Sequence, residues 1–242
     1  MSLLSDLKTL WHLALAPAGG ATHAERMERF YRGQSAGYDD FRARLLHGRR
    51  ELMNLVAPVD GSVWVDLGGG TGANLELVDR SLRAFRQVYL VDLAPSLLRI
   101  ADRRAACLGW NNVRTIQADA KHFSPPEPVD LVTFSYSLTM IPDWFAALER
   151  AWQILRPGGQ IGVVDFYVSR KHSVPGRAQH RWFTRNLLPI WFGTDNVFLN
   201  ADHLPFLESR FETIQLQEHL GTIPYLPMIR APFYLFLGRK PA

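Results

Sequence analysis

Cysteine is almost absent from this chain of 242 residues. The single residue, Cys107, excludes an internal disulfide framework and any zinc site built from several cysteines. We expect it to be an ordinary buried helix residue. No uncharged apolar stretch approaches the roughly 20 residues that cross a bilayer, and the first residues lack the cationic start and cleavage site of a secretory signal. These absences predict a cytoplasmic protein in a reducing compartment.

A strong excess of one charge is also missing, as is any repeat of fixed period. Lys and Arg number 27 and Asp and Glu 23, a net charge of +4. This mild excess suits an anionic surface, but no Lys/Arg-rich block typical of nucleic-acid binding is present, so no nucleic-acid partner is expected. His172 and His180 have no carboxylate at ligand spacing, and no metal site is expected.

Apolar runs of two lengths alternate from Ser62 onward. Short runs that predict strands cover residues 63–67, 87–91, 113–116, 131–135 and 161–164. Longer stretches that predict helices cover residues 73–85, 95–108 and 142–155. Near-continuous apolar strands separated by helices are typical of a parallel sheet covered on both faces, so the sequence predicts a doubly wound α/β fold.

The ends of the chain follow a different pattern. Residues 211–220 and 233–237 are strand-like with no long helix between them, which predicts an antiparallel pair at the sheet edge. We expect residues 1–60 to form an N-terminal helical lid segment and residues 61–242 the main domain. A helical insertion is expected at about 168–205, a natural place for substrate recognition.

A glycine-rich loop, Asp66-Leu67-Gly68-Gly69-Gly70-Thr71-Gly72, follows the first predicted strand. Glycines at this point let the backbone pass close to a ligand at a helix N-terminus. Gly68, Gly70 and Ala73 also satisfy the dinucleotide pattern G-x-G-x-x-A, so the loop alone does not identify a cofactor. A phosphate-binding P-loop is excluded because no Gly-Lys-Ser/Thr follows.

Three carboxylates at successive strand ends narrow the choice of ligand. Asp66 would lie near the phosphates of a dinucleotide, whereas it suits the sulfonium and ammonium of S-adenosylmethionine. Asp92 can accept hydrogen bonds from both ribose hydroxyls, and Asp119 can accept one from an adenine amino group. Strand-end aspartates often cap the next helix instead, but three of them together with the glycine loop favour a nucleoside-containing cation.

The glycine loop, these carboxylates and Leu155-Arg156-Pro157-Gly158-Gly159 together resemble a class I S-adenosylmethionine-dependent methyltransferase. The C-terminal stretch 233–240 resembles the last, antiparallel strand of that family. The resemblance implies a seven-stranded sheet with one reversed strand, S-adenosylmethionine as cofactor and S-adenosylhomocysteine as product. The cofactor contacts we expect are Tyr38, Arg49, Asp66, Gly68, Gly70, Asp92, Leu93, Asp119, Ala120 and Ser135.

The methyl acceptor is indicated by the end of the fourth strand, Phe134-Ser135-Tyr136-Ser137. It differs from the Asn/Asp-Pro-Pro-Tyr/Phe tetrapeptide that the family uses for nucleobase amino groups, which counts against a nucleic-acid methyltransferase. Methyl transfer needs alignment and exclusion of water more than a dedicated base. We therefore expect Tyr38 and Tyr136 to act at the catalytic centre through their ring faces, although Tyr136 is equally well explained as a packing residue.

Segments outside the core suggest one acceptor. Residues 31–42 and 45–52, with residues 192–199 and 202–205, resemble the methyltransferase that completes betaine lipids by trimethylating diacylglyceryl-homoserine. This resemblance implies a partner enzyme that makes the lipid, a cofactor covered by Tyr38, and Arg49 on its carboxylate. A methyltransferase of a quinone or other small hydrophobic molecule is the alternative, and a nucleic-acid-modifying protein is the alternative of another class.

A basic amphipathic stretch fits a lipid acceptor. Arg177, Arg181 and Arg185 are spaced to share one face of a helix, and aromatic residues accompany them from residue 182 to residue 192. Such a stretch can lie on an anionic membrane, which predicts a peripheral position at the inner membrane face, or it can simply pack on the domain as a lid helix. Leu3, Leu4, Leu7, Leu10 and Trp11 form a second apolar stripe, for which the same two interpretations stand.

Overall fold

The computed structural model describes residues 25, 28, 44–56, 59–224 and 226–242. Helices and strands alternate through most of this length. In chain order they are α1 (Arg49–Leu55), β1 (Val63–Leu67), α2 (Ala73–Glu76), α3 (Asp79–Leu82), β2 (Gln87–Asp92), α4 (Pro95–Leu108), β3 (Val113–Gln117), β4 (Val129–Ser135), α5 (Trp144–Ile154), β5 (Leu155–Phe166), α6 (Trp182–Gly193), α7 (His203–Arg210), β6 (Glu212–Ile223) and β7 (Leu226–Arg239). A 3₁₀ turn covers Leu138–Met140.

The strands form one seven-stranded sheet in the order β3-β2-β1-β4-β5-β7-β6. The first five strands are parallel to one another, and β7 runs antiparallel to both β5 and β6. The predicted doubly wound fold, with one reversed strand near the C-terminus, is therefore confirmed. The strand order reverses between β1 and β4, and in such sheets ligands bind in the crevice at this switch point.

Two apolar cores cover the two faces of the sheet. Trp64, Leu90 and Phe233 belong to one buried cluster, and Leu67, Phe134 and Tyr234 belong to the other. Because alternate residues of a strand point to opposite faces, strands covered on both sides must be apolar at nearly every position. This is why the strands stand out in the sequence.

Helix α4 begins and ends at the residues that the sequence predicts. Pro95 occupies its first turn, where a missing N–H costs nothing, and Gly109 follows its last residue with φ +68°. The helix predicted over 73–85 is instead divided into α2 and α3, because Val78 leaves the helical region with φ −119° and ψ 17°. Cys107 is exposed on α4, so the prediction that it is buried was wrong.

The arginines of the insertion do not share a helical face. Helix α6 begins at Trp182, and Arg181 is extended with ψ 159°, so only Arg185 of the three is helical. Gly176, with φ +85°, lies in a turn that the N–H of Arg177 closes on the carbonyl of Val174, and Arg177 forms an ion pair with Glu208 of α7. Within the described ranges, no helix combines the length and apolar character that a bilayer crossing requires.

Candidate functional site

The glycine loop lies at the carboxyl end of β1, beside the switch point. The N–H groups of Gly68 and Gly69 donate to the Val91 carbonyl at 2.8 and 3.1 Å, which ties the loop to β2. A Cβ on Gly68 (φ +72°) would lie 2.4 Å from the Cβ of Ser137, so packing excludes a side chain there. A Cβ on Gly70 (φ +57°) would meet no atom closer than 3.7 Å. Gly70 is therefore open toward the space in which a ligand lies.

Asp92, the last residue of β2, organises this space. One carboxylate oxygen accepts the N–H of Gly70 at 2.9 Å, and the other accepts the N–H of Ala94 at 2.8 Å. An ionised carboxylate has about four acceptor positions, and Asp92 lines the cavity at this end of the sheet. Asp92 is thus suited to bind two ligand hydroxyls while it fixes the glycine loop.

A cavity of about 270 Å³ opens between the ends of β1, β2, β3 and β4. Seven of the predicted site residues line it: Gly68, Gly70, Asp92, Leu93, Asp119, Ala120 and Tyr136. Leu93 and Leu97 add apolar side chains to the lining, which suits an aromatic base. Asp119 also lines the cavity and pairs with Lys121 at 3.7 Å.

The charge of the cavity distinguishes between the two nucleoside cofactors that the glycine loop permits. Asp92, Asp119 and Asp143 line the cavity, against the single ammonium of Lys121. This excess of carboxylates repels a pyrophosphate and attracts a cation. The geometry therefore fits S-adenosylmethionine better than a dinucleotide.

Asp66 lies behind the loop and is not part of the cavity wall. Its carboxylate is fully buried, where it accepts the hydroxyl of Thr133 at 2.7 Å and the amide of Asn74 at 3.3 Å. Burial raises the pKa of Asp66 above its usual value, and the two hydrogen bonds oppose this shift. The structure thus gives Asp66 a part in holding β1, β4 and α2 together, and direct contact with a ligand cation stays a prediction.

Asn74 connects the remaining predicted residues. Its side-chain oxygen accepts both Nε and Nη2 of Arg49, at 2.9 and 2.7 Å, and the hydroxyl of Ser135 at 3.4 Å. Arg49 and Ser135 are therefore joined to Asp66 through one amide, outside the cavity lining. The other predicted tyrosine, Tyr38, lies outside the described residues, and its role stays a prediction.

Tyr136 follows β4 and forms part of the cavity wall. Its backbone is left-handed, with φ 54°, and its buried hydroxyl donates to the His47 carbonyl at 2.6 Å. Burial, with a smaller effect from Asp165, raises the pKa of this phenol well above its usual value. Tyr136 therefore stays protonated at neutral pH and serves as a ring surface and a hydrogen-bond donor, not as a base.

The buried carboxylate of Asp165 stabilises the segment of the cavity wall that follows β4. Asp165, near the end of β5, accepts the hydroxyl of Thr139 at 2.7 Å and its N–H at 3.2 Å. The carbonyl of Thr139 in turn accepts the N–H of Phe198 at 2.7 Å. One side chain thus holds the segment that follows β4, and that segment holds the end of the insertion.

The free energy of unfolding should change with pH as Asp165 titrates. Burial raises its pKa from 3.8 to about 6, so between these pH values the folded state binds more protons than the unfolded state. Stability must then fall as the pH rises through this window. We expect the free energy of unfolding of the wild type, relative to Asp165→Asn, to decrease by roughly 2 kcal/mol from about pH 4 to about pH 7. Urea unfolding of both proteins at each pH measures this change.

The exposed carboxylate of Asp60 provides a control for that measurement. The free energy of unfolding of Asp60→Asn should change between the two pH values as that of the wild type does, because an exposed carboxylate stays hydrated when the protein folds. If the curve of Asp165→Asn also runs parallel to that of the wild type, Asp165 does not titrate in this window.

Many residues of the cavity wall belong to no motif that the sequence shows. Reasoning from the sequence missed Val91, Leu97, Ala118, Lys121, Ser137, Met140, Ile141, Pro142 and Asp143. Five of these belong to the continuous segment 137–143 after β4. Only its position offered a signal, because it follows a parallel strand at the switch-point edge.

Glu28, in the N-terminal segment, lies close to the cavity. Glu28 accepts the N–H and the hydroxyl of Ser96 at 3.1 and 2.7 Å. Ser96 is in the first turn of α4, next to Leu97 in the cavity lining. The predicted lid role of residues 1–60 is consistent with this contact and stays a prediction.

Comparison with known proteins adds to this geometry. A model of the ubiE/COQ5 methyltransferase family matches residues 42–216. The ubiquinone/menaquinone biosynthesis C-methyltransferase UbiE of Enterobacter sp. (strain 638) is 25% identical over 171 residues, 68% of this chain and 68% of that protein. The UbiE of Haemophilus ducreyi is 30% identical over 165 residues, 67% of this chain and 62% of that protein. The matched region thus spans about two thirds of the length of these relatives.

A solved structure with the same fold is the N-methyltransferase NodS from Bradyrhizobium japonicum WM9 in complex with S-adenosylhomocysteine. Its TM-score is 0.60 with 14% sequence identity, over 98% of this chain and 99% of that one. At this identity the likeness establishes the fold.

Proposed function

Because this chain belongs to the ubiE/COQ5 methyltransferase family, we propose that it transfers a methyl group from S-adenosylmethionine to a quinone or a similar small hydrophobic acceptor. The carboxylate-lined cavity at the switch point is the observation that carries the cofactor assignment. The similarity to quinone C-methyltransferases favours the acceptor class.

The residues present fit this cofactor. Asp92 would accept the ribose hydroxyls, the apolar lining at Leu93 and Leu97 would take the adenine, and Gly70 leaves room for the ligand. Asp119, in the same lining, would accept from the adenine amino group. S-adenosylmethionine supplies an activated methyl group on a sulfonium when it is bound.

Buried aromatic rings support Tyr136, which lines the cavity. The ring of Tyr136 meets that of Phe166 edge-on, with centroids 4.6 Å apart, and Phe166 meets Phe192 of α6 in the same way at 5.1 Å. Edge-to-face contacts of this kind hold the ring of Tyr136 in place. A ring fixed at the cavity in this way suits a flat, apolar acceptor, which it would orient by shape.

The betaine-lipid assignment, with its partner enzyme, stays a prediction, and the comparisons favour the quinone alternative over it. The two acceptors differ in the atom that receives the methyl group. A quinone-type ring accepts one methyl group on carbon, whereas the amine of diacylglyceryl-homoserine accepts three in succession on nitrogen. Product analysis therefore separates them.

The experiment is a transfer assay with labelled S-adenosylmethionine and the full chain. One reaction contains a reduced short-chain prenyl quinone without a ring methyl group, and the other contains diacylglyceryl-homoserine in mixed micelles. We expect one added methyl group on a ring carbon of the quinol, identified by mass spectrometry, and no transfer to the lipid. Stepwise gains of three methyl groups on the lipid would instead establish the betaine-lipid assignment. Absence of both products, in protein that binds S-adenosylhomocysteine, would contradict the quinone acceptor.

A further inference from the structure

Helix α6 leaves one apolar face in contact with solvent. Trp182, Phe183, Leu187 and Ile190 are 59%, 66%, 49% and 70% exposed, and their spacing places Phe183, Leu187 and Ile190 along one side of the helix. The opposite side is buried, because Leu188 and Phe192 pack into the core that covers the sheet. Only one side of α6 packs against the rest of the protein. The exposure of the apolar residues on its other side is therefore not explained by the packing of the core.

The segment that leads into this face is rich in basic residues. Between Asp165 and Asp195 the chain has no acidic residue, and it has five basic ones: Arg170, Lys171, Arg177, Arg181 and Arg185. The acidic neighbours lie on α7, where Glu208 pairs with Arg177, next to α7, where Asp202 pairs with Arg170, and on β6, where Glu218 accepts the N–H of Ala178. Arg181, directly before α6, is exposed, as is Lys171. The face is therefore apolar in its centre, with the cation of Arg181 at its N-terminal end.

The face also stands at the edge of the sheet where the cavity opens. Helix α6 follows the carboxyl end of β5, and its Phe192 contacts Phe166, which contacts Tyr136 of the cavity wall. The hairpin between β6 and β7 ends at the same edge, because β6 is parallel to β5, and it exposes 95% of Met228. A surface bound to α6 would therefore lie close to the entrance of the site.

We propose that the exposed face of α6 docks this protein onto an anionic lipid bilayer. Trp182 and Phe183 are residues that favour the membrane interface, the aliphatic pair enters the boundary of the acyl chains, and the basic residues meet the anionic headgroups. A second copy of the chain would also cover apolar residues, but the cations around the face would then repel each other. This inference goes beyond the proposed function, since it concerns binding without cofactor or acceptor.

Vesicle co-sedimentation of the full chain tests this proposal. The probes are phosphatidylcholine vesicles with and without about one third phosphatidylglycerol. The wild type should bind the anionic vesicles and bind neutral ones much more weakly. Phe183→Ser with Ile190→Ser should reduce the binding to anionic vesicles by roughly tenfold or more. Arg181→Glu and high salt should each reduce it by several-fold.

Leu108→Ser, at an exposed leucine at the end of α4, is the matched control and should bind as the wild type does. Both serine variants should keep their melting temperature and their affinity for S-adenosylhomocysteine, which separates this test from that of the proposed function. Failure of the wild type to bind anionic vesicles, or unchanged binding of the double variant, would overturn the proposal. So would a dimer that the double variant abolishes, or a lowered melting temperature of that variant, because the face would then be covered by protein.

Discussion

Replacing Gly70 with valine is expected to lower the affinity for S-adenosylhomocysteine more than about 100-fold, with the fold retained. At this position a Cβ would lie 3.7 Å from Leu97 and 4.0 Å from a carboxylate oxygen of Asp92, which are ordinary contacts. The valine methyl groups would then extend into the cavity that Gly70 lines. A steric block of this kind removes the cofactor without disturbing the core. Titration calorimetry measures the affinity, and thermal unfolding measures the stability.

Backbone strain needs a control of its own, because Gly70 has φ +57° and side chains rarely adopt that region. Gly109 has φ +68° and no atom within 4 Å of its would-be Cβ. Gly109→Val should therefore lose roughly 1–2 kcal/mol of stability, a loss similar to that of Gly70→Val. It should bind S-adenosylhomocysteine as the wild type does. Substitution of Gly68 is unsuitable, since a side chain there collides with Ser137. Retained binding in Gly70→Val would show that the ligand does not pass close to this residue.

Replacing Asp92 with alanine is expected to weaken binding of the same ligand by roughly 10- to 100-fold, since two hydrogen bonds to a charged acceptor are lost. The loss has a second source, because Asp92 also accepts the N–H groups of Gly70 and Ala94 and so fixes the glycine loop. Asp92→Asn keeps one oxygen acceptor and nearly the same shape. We expect its affinity to fall between those of the wild type and the alanine variant in calorimetry.

The control for this series is Asp102→Ala. Asp102 lies on the exposed side of α4 and accepts the hydroxyl of Thr115 at 2.6 Å, which makes it a strand-to-helix contact away from the cavity. Its removal should leave the affinity within about twofold of the wild type. If Asp92→Ala also stays within that range, the ribose hydroxyls are bound elsewhere.

Local sequence rules predicted the strands and helices well wherever the residue types of a segment favour one kind of secondary structure. The strands were recognisable because both faces of the sheet are buried, and the range predicted for α4, with Pro95 in its first turn, matches the helix to the residue. The division of residues 73–85 into α2 and α3 was missed. No proline or glycine at or beside Val78 indicates the break. Val78 departs from helical geometry between Leu75 and Leu82, which are both buried in the core.

The insertion shows where such rules fail. Spacing alone placed Arg177, Arg181 and Arg185 on one helical face, but α6 begins only at Trp182. Periodicity assumes that a helix exists, and the turn at Gly176 removes this assumption. Which side of α6 faces solvent was not evident from the sequence, for a related reason. Its aromatic residues point both into the core and into solvent, and only packing separates the two sets.

The sequence by itself determined that three carboxylates and a glycine loop meet at one edge of the sheet, because the carboxyl ends of parallel strands lie together. Only the tertiary structure decided which of them face the cavity. Asp66 lies inside β1, with β2 and β4 on either side, and its carboxylate turns to Thr133 across the neighbouring strand. Asp92 ends β2, so its carboxylate reaches past the sheet into the cavity. The direction of a side chain depends on what its neighbours leave open, and those neighbours come from distant parts of the chain.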